Sequence, residues 1–129
     1  MESIIREAGS STPYIAFDPD NGVLQIKGES YPENALGFYE PIVEAIEDYL
    51  RTPESTLEIT LALSYMNTSS IKAMMDILDL ADDAHQAGAR VQVIWYHDPE
   101  DDRSLEVAEE FCEDLKLPFK TVAKSLDEL

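Results

Sequence analysis

The chain has 129 residues, of which 44% are apolar and 9% aromatic, enough for one folded domain with a single core. Aspartate and glutamate number 27 against 9 lysines and arginines, which gives a formal net charge of −18. Nucleic acid and anionic membrane surfaces both require a basic protein surface, so this charge disfavours them as partners. A basic or neutral protein surface would complement the charge, whereas for most of the acidic side chains solubility is the better explanation.

The ends of the chain and its single cysteine indicate the compartment. Residues 1–12 are small and mixed, and we expect them to be a flexible lead-in without the apolar core of a signal segment. No apolar run is long enough to cross a bilayer. Cys112 cannot form an internal disulfide, which fits a reducing compartment. We therefore expect a cytoplasmic protein. Cys112 lies on the apolar face of a predicted helix, and we expect it to pack in the core rather than act as a nucleophile.

A hairpin and a helix are predicted next. The runs 14–17 and 23–27 predict two strands joined by D-P-D-N-G, where proline presets φ and Asn-Gly tolerates positive φ. Apolar residues at helical spacing predict a helix within 33–50. Pro41 either marks the start of its regular part or kinks its first turn, and R-T-P at 51–53 ends it.

The rest of the chain alternates predicted strands and helices. In chain order these are a strand over 56–63, a link over 64–67, a helix over 68–87, a strand over 90–96, an acidic turn over 98–103, a helix over 104–115 and a short edge strand over 118–122. The 68–87 helix has Ile71, Met74, Met75, Leu78 and Ala81 on its apolar face, and Gly88 stands at the C′ position.

This element order, β-β-α-β-α-β-α-β, predicts a single α/β domain: a mixed β-sheet with an N-terminal hairpin and helices packed on it. We expect the domain to span residues 13–123 and to be followed by a tail over 124–129 that frays.

Metal and catalytic motifs are poorly represented. Residues 18–29 superficially resemble a calcium loop, but Gly22 and Val23 stand where a ligand and a glycine are needed. His97 and Asp98 follow a strand, where catalytic groups often lie, yet no local motif completes a triad, and His85 has an ordinary context. We therefore predict no catalytic residue, no metal and no cofactor.

The segment N-T-S-S at 67–70 lies between a predicted strand and a predicted helix. Asparagine, serine and threonine are preferred N-caps, so helix capping is one interpretation. One cap does not require four such residues, so a phosphorylatable hydroxyl is the other. A phosphate at this position would face the free N–H groups and the positive end of the helix without unfolding the domain.

Two segments are similar to the signatures of the SiaC family of bacterial regulatory phosphoproteins: L-S-Y-M-N-T-S-S-I-K-A-M-M-D-I-L-D-L at 63–80 and G-E-S-Y-P-E-N at 28–34. Shorter agreements at 11–13, 84–86 and 108–111 extend the resemblance over nearly the whole chain. It implies a fold like the STAS domains of anti-sigma-factor antagonists and a role in partner switching.

The resemblance also implies the functional residues and partners. Thr68 would be the phosphoacceptor, and it is the one residue whose role the resemblance implies. We ourselves expect Asn67, Ser69, Ser70 and Lys72 to shape the site or contact the partner. A cognate protein kinase would add the phosphate and a PP2C-type phosphatase would remove it. The unphosphorylated form would bind and activate a diguanylate cyclase or another effector, raising cyclic di-GMP and promoting biofilm formation or aggregation.

Two other functions are compatible with the same sequence. One is an anti-sigma-factor antagonist that binds an anti-sigma kinase. The other is a small α/β enzyme that uses His97 and Asp98, or the acidic groups near them. A deep pocket with perturbed carboxylates would favour the enzyme, and a flat exposed surface around Thr68 would favour the switch.

Overall fold

A computed structural model describes residues 2–52 and 55–125 of the chain. These residues form six strands and three helices. In chain order they are β1 (Ile4–Arg6), β2 (Tyr14–Asp18), β3 (Val23–Ser30), α1 (Ala35–Leu50), β4 (Thr56–Met66), α2 (Thr68–Gln86), β5 (Arg90–His97), α3 (Asp102–Cys112) and β6 (Phe119–Ala123). The mixed α/β class and the β-hairpin followed by alternating helices and strands agree with the predicted order.

The strands form one sheet in the order β1-β2-β3-β4-β5-β6. The first two pairings are antiparallel and the last three are parallel. The predicted hairpin is present: the Asp18 carboxylate accepts hydrogen bonds from the backbone N–H groups of Asp20 and Asn21, and Gly22 has a φ of 66°. These residues therefore make a tight turn, as their composition predicts.

One strand lies where the sequence pattern predicted none. Ile4–Arg6 pairs antiparallel with β2 inside the segment expected to be a flexible lead-in. The Arg6 guanidinium lies 5.6 Å from the centre of the Phe38 ring on α1. Three residues are too few to show a recognisable alternation, so this strand depends on its partners rather than on its own pattern.

All three helices cover the same face of the sheet. Each connects two neighbouring parallel strands, and the chain moves across the sheet in one direction, so right-handed crossovers place them on one side. The core lies between that face and the helices, and its largest fully buried side chains are Trp95 and Phe17 of the sheet and Tyr39 of α1. On the opposite face the side chains are mostly half-buried or exposed, among them Tyr14, Gln25, Thr60 and Ile94. We call this second surface the open sheet face.

All three helices begin with the same kind of side-chain N-cap. The side chains of Asn34, Asn67 and Asp101 cap α1, α2 and α3, and each accepts the N–H of the third residue of its helix. α1 begins at Ala35 and passes through Pro41. The helix therefore does not begin near the proline, and the proline does not lie in its first turn. At the other end of α2, Gly88 has a φ of 109°, which confirms its predicted place just past the helix.

Several predicted boundaries need correction. β4 continues to Met66, through residues expected to be a link, because it stays paired with the end of β3. α3 begins inside the predicted acidic turn because Asp101 caps it. Cys112 is half-buried at the end of α3 rather than part of the core. The last four residues of the predicted 124–129 tail, and Pro53 after α1, lie outside the described residues.

Candidate functional site

The two sequence segments that resemble family signatures lie against each other at the carboxyl edge of the sheet. The backbone N–H of Asn67 donates to the Ser30 carbonyl at 3.0 Å. The Asn67 side-chain Nδ2 donates to the Pro32 carbonyl, also at 3.0 Å. The segments 28–34 and 67–70 therefore form one structural unit.

Gly28 explains how the first segment reaches the second. It has a φ of 120°, and the register between β3 and β4 shifts immediately after it, so that Gly28 pairs with Leu63 and Glu29 with Tyr65. A glycine tolerates this backbone conformation at no steric cost. The shift carries Ser30 alongside Met66, directly before the start of α2.

Asn67 caps α2, which separates the two interpretations of the N-T-S-S segment. Its Oδ1 accepts the backbone N–H of Ser70 at 2.9 Å and the Ser69 hydroxyl at 3.3 Å. Thr68 is the first residue of the helix and its side chain is exposed. In the described part of the chain, the Thr68 hydroxyl has no hydrogen-bond partner. Thr68 is therefore available at the surface and is not needed as the cap.

Ser70 has a buried, structural environment. Its hydroxyl lies 2.7 Å from the Ser30 hydroxyl, which lies 2.7 Å from the Tyr39 hydroxyl of α1. Burial raises the pKa of Tyr39 to about 12, although the hydrogen bond to Ser30 opposes that change. The phenol therefore stays protonated and can donate within this chain of three hydroxyls. These contacts fix the start of α2 relative to β3 and α1.

Lys72 lies one turn after Thr68 on the exposed side of α2. Its Nζ lies 2.8 Å from the Asp76 carboxylate, and this hydrogen bond, reinforced by the Asp76 charge, raises the pKa of Lys72. Thr68, Lys72, Met75 and Asp79 are all exposed and recur at alternating spacings of four and three residues. We call this line the Thr68 stripe, since such spacing places residues on one face of a helix.

An exposed aromatic pair, which the sequence pattern did not reveal, stands beside the same helix start. Tyr31 and Tyr65 are 40% and 49% exposed, and their rings meet edge to face with centroids 5.9 Å apart. The Tyr31 hydroxyl donates to the Ser10 carbonyl at 2.6 Å. Tyr31 belongs to the 28–34 segment and Tyr65 comes two residues before Asn67. Their positions in the two signature segments were therefore the one sequence feature that could have indicated that they lie near the site.

The residues of the alternative enzyme do not form a catalytic constellation. His97 is buried at the end of β5 with its Nδ1 3.1 Å from the Asp98 carbonyl, whereas His85 lies in the last turn of α2, at the opposite edge of the sheet. Among the described residues, no group of three or more histidine, cysteine or acidic side chains could hold a metal. The cavity beside the end of β4, with a volume of about 40 Å³, is lined by neither His97 nor Asp98. His85 lines a separate pocket of about 360 Å³, which also contains neither His97 nor Asp98.

No helix in the described ranges combines the length and the apolar character needed to cross a membrane.

Comparison with known proteins agrees with this geometry. Residues 6–124 match the model of the SiaC family of regulatory phosphoproteins. An uncharacterized protein of Pseudomonas aeruginosa strain UCBPP-PA14 is 47% identical over 109 residues, which are 84% of this chain and 86% of that protein. The solved structure of SiaC of Pseudomonas aeruginosa is 43% identical, with a TM-score of 0.90 over 96% of this chain and all of that one.

A further solved structure contains a partner. It is the diguanylate cyclase SiaD in complex with its activator SiaC from Pseudomonas aeruginosa. The matched chain is 43% identical to the present one, with a TM-score of 0.90 over 94% of this chain and 99% of that one. The six-stranded mixed sheet and the three helices described above thus match solved structures along nearly their whole length.

Proposed function

The chain belongs to the SiaC family of regulatory phosphoproteins, and from this premise we propose that it is a partner-switching regulator controlled at Thr68. Its unphosphorylated form binds and activates a diguanylate cyclase in the cytoplasm, which raises cyclic di-GMP and promotes biofilm formation or aggregation. A cognate kinase phosphorylates Thr68 and releases the cyclase, and a PP2C-type phosphatase restores the binding form. The chain itself is not catalytic.

The observation that carries the proposal is the exposed Thr68 hydroxyl at the first position of a helix that Asn67 already caps. A kinase can reach this hydroxyl without breaking a hydrogen bond of the fold. The neighbouring hydroxyls are less suitable acceptors, because Ser70 is buried and Ser69 donates to Asn67. The site therefore favours one phosphoacceptor among three candidates.

The surroundings of Thr68 support control by a phosphate. The group would carry about −1.5 to −2 charges, and the free N–H groups of the first helical turn would stabilise it, so the domain stays folded. The exposed rings of Tyr31 and Tyr65 nearby favour an apolar partner surface. A partner packed there would have to desolvate the phosphate, which costs free energy and weakens binding.

The first test maps phosphorylation on protein purified from its native host, by intact mass and peptide fragmentation. One phosphate on Thr68 is the expected result. The unphosphorylated form then serves as bait in a pull-down, and recovery of a diguanylate cyclase supports the proposal. Recovery of an anti-sigma kinase instead would favour the anti-sigma-factor antagonist. Absence of phosphate under every growth condition would leave Thr68 without a regulatory role.

The second test separates charge from volume with two variants of equal length. We expect Thr68→Glu to weaken cyclase binding by about tenfold or more, which is about 1.4 kcal/mol, and to lower cyclic di-GMP synthesis in the reconstituted pair. Thr68→Gln, the uncharged match, should retain most of the binding. Equal losses for both variants would indicate that size rather than charge releases the partner.

A further inference from the structure

A groove runs between α2 and α3 on the helical side of the domain, with a volume of about 290 Å³. α1 packs closely against α2, whereas α3 makes little backbone contact with α2 and lies mainly over the sheet. The groove is therefore the space that unequal helix packing leaves. Its lining on α2 runs from Ile71 to Asp79, about 12 Å along the helix axis or a little over two turns, and the C-terminal end of α3 forms the opposite side.

The floor of the groove is apolar and partly uncovered. Leu78 and Phe111 are buried at its base, and Ile71 and Leu115 are half-buried along its sides. Met75 was predicted to pack in the core, but it is 45% exposed and lines this groove instead. An unbranched thioether side chain adapts to the shape of a bound surface, which is why methionine suits binding sites of this kind.

The rim of the groove is acidic. Asp79 stands on the α2 side, and Glu110 and Asp114 stand on the α3 side. Although Asp79 is exposed overall, partial desolvation raises the pKa of its carboxyl, and the neighbouring charges of Asp76, Asp83 and Asp82 raise it further, while Lys72 acts in the opposite direction. In the described part of the chain, no ion pair involves an acidic side chain of α3. The rim thus concentrates negative charge next to an apolar floor.

We propose that this groove binds an amphipathic helix of the protein partner, with apolar residues facing the floor and lysine or arginine on both flanks. This inference rests on the proposed function, because it identifies the segment that the regulated partner presents. An apolar groove that extends about 12 Å along α2 fits anchors spaced i, i+3 or i+4, and i+7 on the incoming helix, which span about 10 Å. Two acidic walls fit basic flanks by charge complementarity.

The position of the groove links it to the phosphorylation site. Met75 and Asp79 belong both to the groove and to the Thr68 stripe. Seven residues of helix separate Thr68 from Met75, a distance of about 10 Å along the axis. The groove supplies the affinity for the helix, and Thr68, two turns away on the same face, supplies the control. A second copy of this chain is a poor occupant, because its own helices carry the same negative charge.

The test uses an 18-residue helical peptide as the probe, with leucine at i, i+4 and i+7 and lysine on both flanks. Methyl NMR spectra of the full-length chain are recorded during titration. We expect shifts centred on Met75, Ile71 and Leu115, and at least a tenfold weaker response to a scrambled peptide of the same composition. Equal binding of both peptides, or shifts centred elsewhere, would overturn the proposal.

Matched variants extend the test to the partner recovered by the unphosphorylated form. Met75→Ala and the double change Asp79→Lys with Glu110→Lys should each weaken binding tenfold or more, while circular dichroism and phosphorylation of Thr68 stay unchanged. Ile5→Ala, at another exposed apolar residue, and Glu44→Lys on α1 are the controls and should bind like the wild type. If Thr68→Glu releases the partner but the groove variants bind normally, the groove proposal fails and the switch stands.

Discussion

The four polar residues from Asn67 to Ser70 have four different environments. Asn67 caps α2, Ser69 donates to that cap, Ser70 is buried against Ser30, and Thr68 is exposed. Their chemical similarity in the sequence conceals this division, which depends on where the first helical turn begins. A helix start one residue later would give the cap to Thr68 and would place Ile71, which has no hydroxyl, at the helix position that Ser70 now occupies.

This division predicts opposite effects for two neighbouring substitutions. Asn67→Ala removes the cap and the hydrogen bond to the Pro32 carbonyl, and we expect it to lower the free energy of unfolding by about 1–2 kcal/mol. Thr68→Ala removes no hydrogen bond and should stay within about 0.5 kcal/mol of the wild type. Urea unfolding measures both values. A larger loss for Thr68→Ala than for Asn67→Ala would contradict the assignment of the cap.

Asp79 predicts a pH-dependent change in stability. Burial and its neighbouring carboxylates raise its pKa, so the folded state binds the proton more tightly than the unfolded state does. The contribution of this group to stability is thus largest at low pH, and it is lost as the pH rises from about 3.9, the ordinary pKa, through the raised folded pKa. At neutral pH the charged carboxylate destabilises the fold.

We therefore expect Asp79→Asn to be more stable than the wild type at pH 7, with a gain that shrinks as the pH falls toward 4. Urea unfolding at several pH values measures the gain, and Glu44→Gln on α1 serves as the isosteric control. A gain that grows toward low pH would show that Asp79 is stabilised, not destabilised, as a carboxylate.

At the residue level, the candidate phosphoacceptor could be named from the sequence, because the resemblance singles out Thr68. The chemistry around it could not. The helical spacing of apolar residues predicted that Met75 packs in the core. Spacing identifies the apolar face of a helix, but it does not show how much of that face the neighbouring helices cover. The aromatic pair of Tyr31 and Tyr65 joins residues 34 positions apart, and only the pairing of β3 with β4 brings them together.

At the element level, Asp82 connects α2 to the segment that follows α3. Its Oδ1 accepts the backbone N–H groups of Lys116 and Leu117 at 2.8 and 2.9 Å, and its Oδ2 accepts from Gln86. Burial opposes ionisation of this carboxyl, but the three hydrogen bonds outweigh it and lower the pKa of Asp82. The connection fixes the segment directly after Leu115, which lines the groove.

Two substitutions at Asp82 should lower the free energy of unfolding by different amounts. Asp82→Ala leaves two backbone N–H groups without their acceptor, and we expect it to cost about 2–3 kcal/mol of unfolding free energy. Asp82→Asn keeps an acceptor oxygen, and the Gln86 amide can turn to suit it, so the loss should be smaller. Thermal and urea unfolding compare the two variants with the wild type. Equal losses would mean that the charge, rather than the hydrogen bonds, holds the loop.

The pH dependence at Asp82 has the opposite sign to that at Asp79. A lowered folded pKa gives stability that is present above about pH 3.9 and lost as the pH falls through the folded value. The stability difference between wild type and Asp82→Asn should therefore narrow in acid. This comparison uses the same unfolding series as the Asp79 variants.

Most elements could be predicted because their patterns are local. The hairpin turn has Asn-Gly, the helices have apolar residues at helical spacing, and β5 is an apolar run. β1 and the last three residues of β4 could not be, because non-local pairing creates them. β1 forms only against β2, and Ser64 to Met66 stay extended because the shift after Gly28 keeps β3 alongside them. The α1 start was obscured by Pro41, which the helix accommodates in its interior.

At the scale of the whole molecule, the net charge of −18 predicts a salt-dependent encounter with a basic partner surface. Long-range attraction accelerates association and is screened over about 10 Å at 0.1 M salt. We expect the association rate constant with the cyclase to fall by about tenfold between 0.05 and 0.5 M salt, with a much smaller change in dissociation. Surface plasmon resonance or stopped flow measures both rates. An association rate constant that does not change with salt concentration would exclude basic flanks on the partner.

The class of the fold followed from the order of elements alone, and the family followed from two signature segments. Composition alone disfavoured nucleic acid as a partner, because the chain is strongly acidic. The particular likeness to STAS domains and the boundaries of the domain stay predictions. What the sequence could not provide is the relation between the two signatures, because hydrogen bonds from Asn67 to Ser30 and Pro32 are visible only in the folded chain.

The two ends of the strands, where β4 begins and where it ends, are separated by the length of β4. This separation offers a place for an optical reporter. The 18–22 turn meets the start of β4, where the backbone N–H of Glu58 donates to the Gly22 carbonyl at 2.8 Å, whereas Thr68 follows the end of β4. With 11 residues, β4 is about 36 Å long. A fluorophore on the exposed Asn21 would therefore sit within energy-transfer range of a dye on a partner at Thr68, yet outside its footprint. Docking and release could then be followed in living cells without altering the surface that performs them.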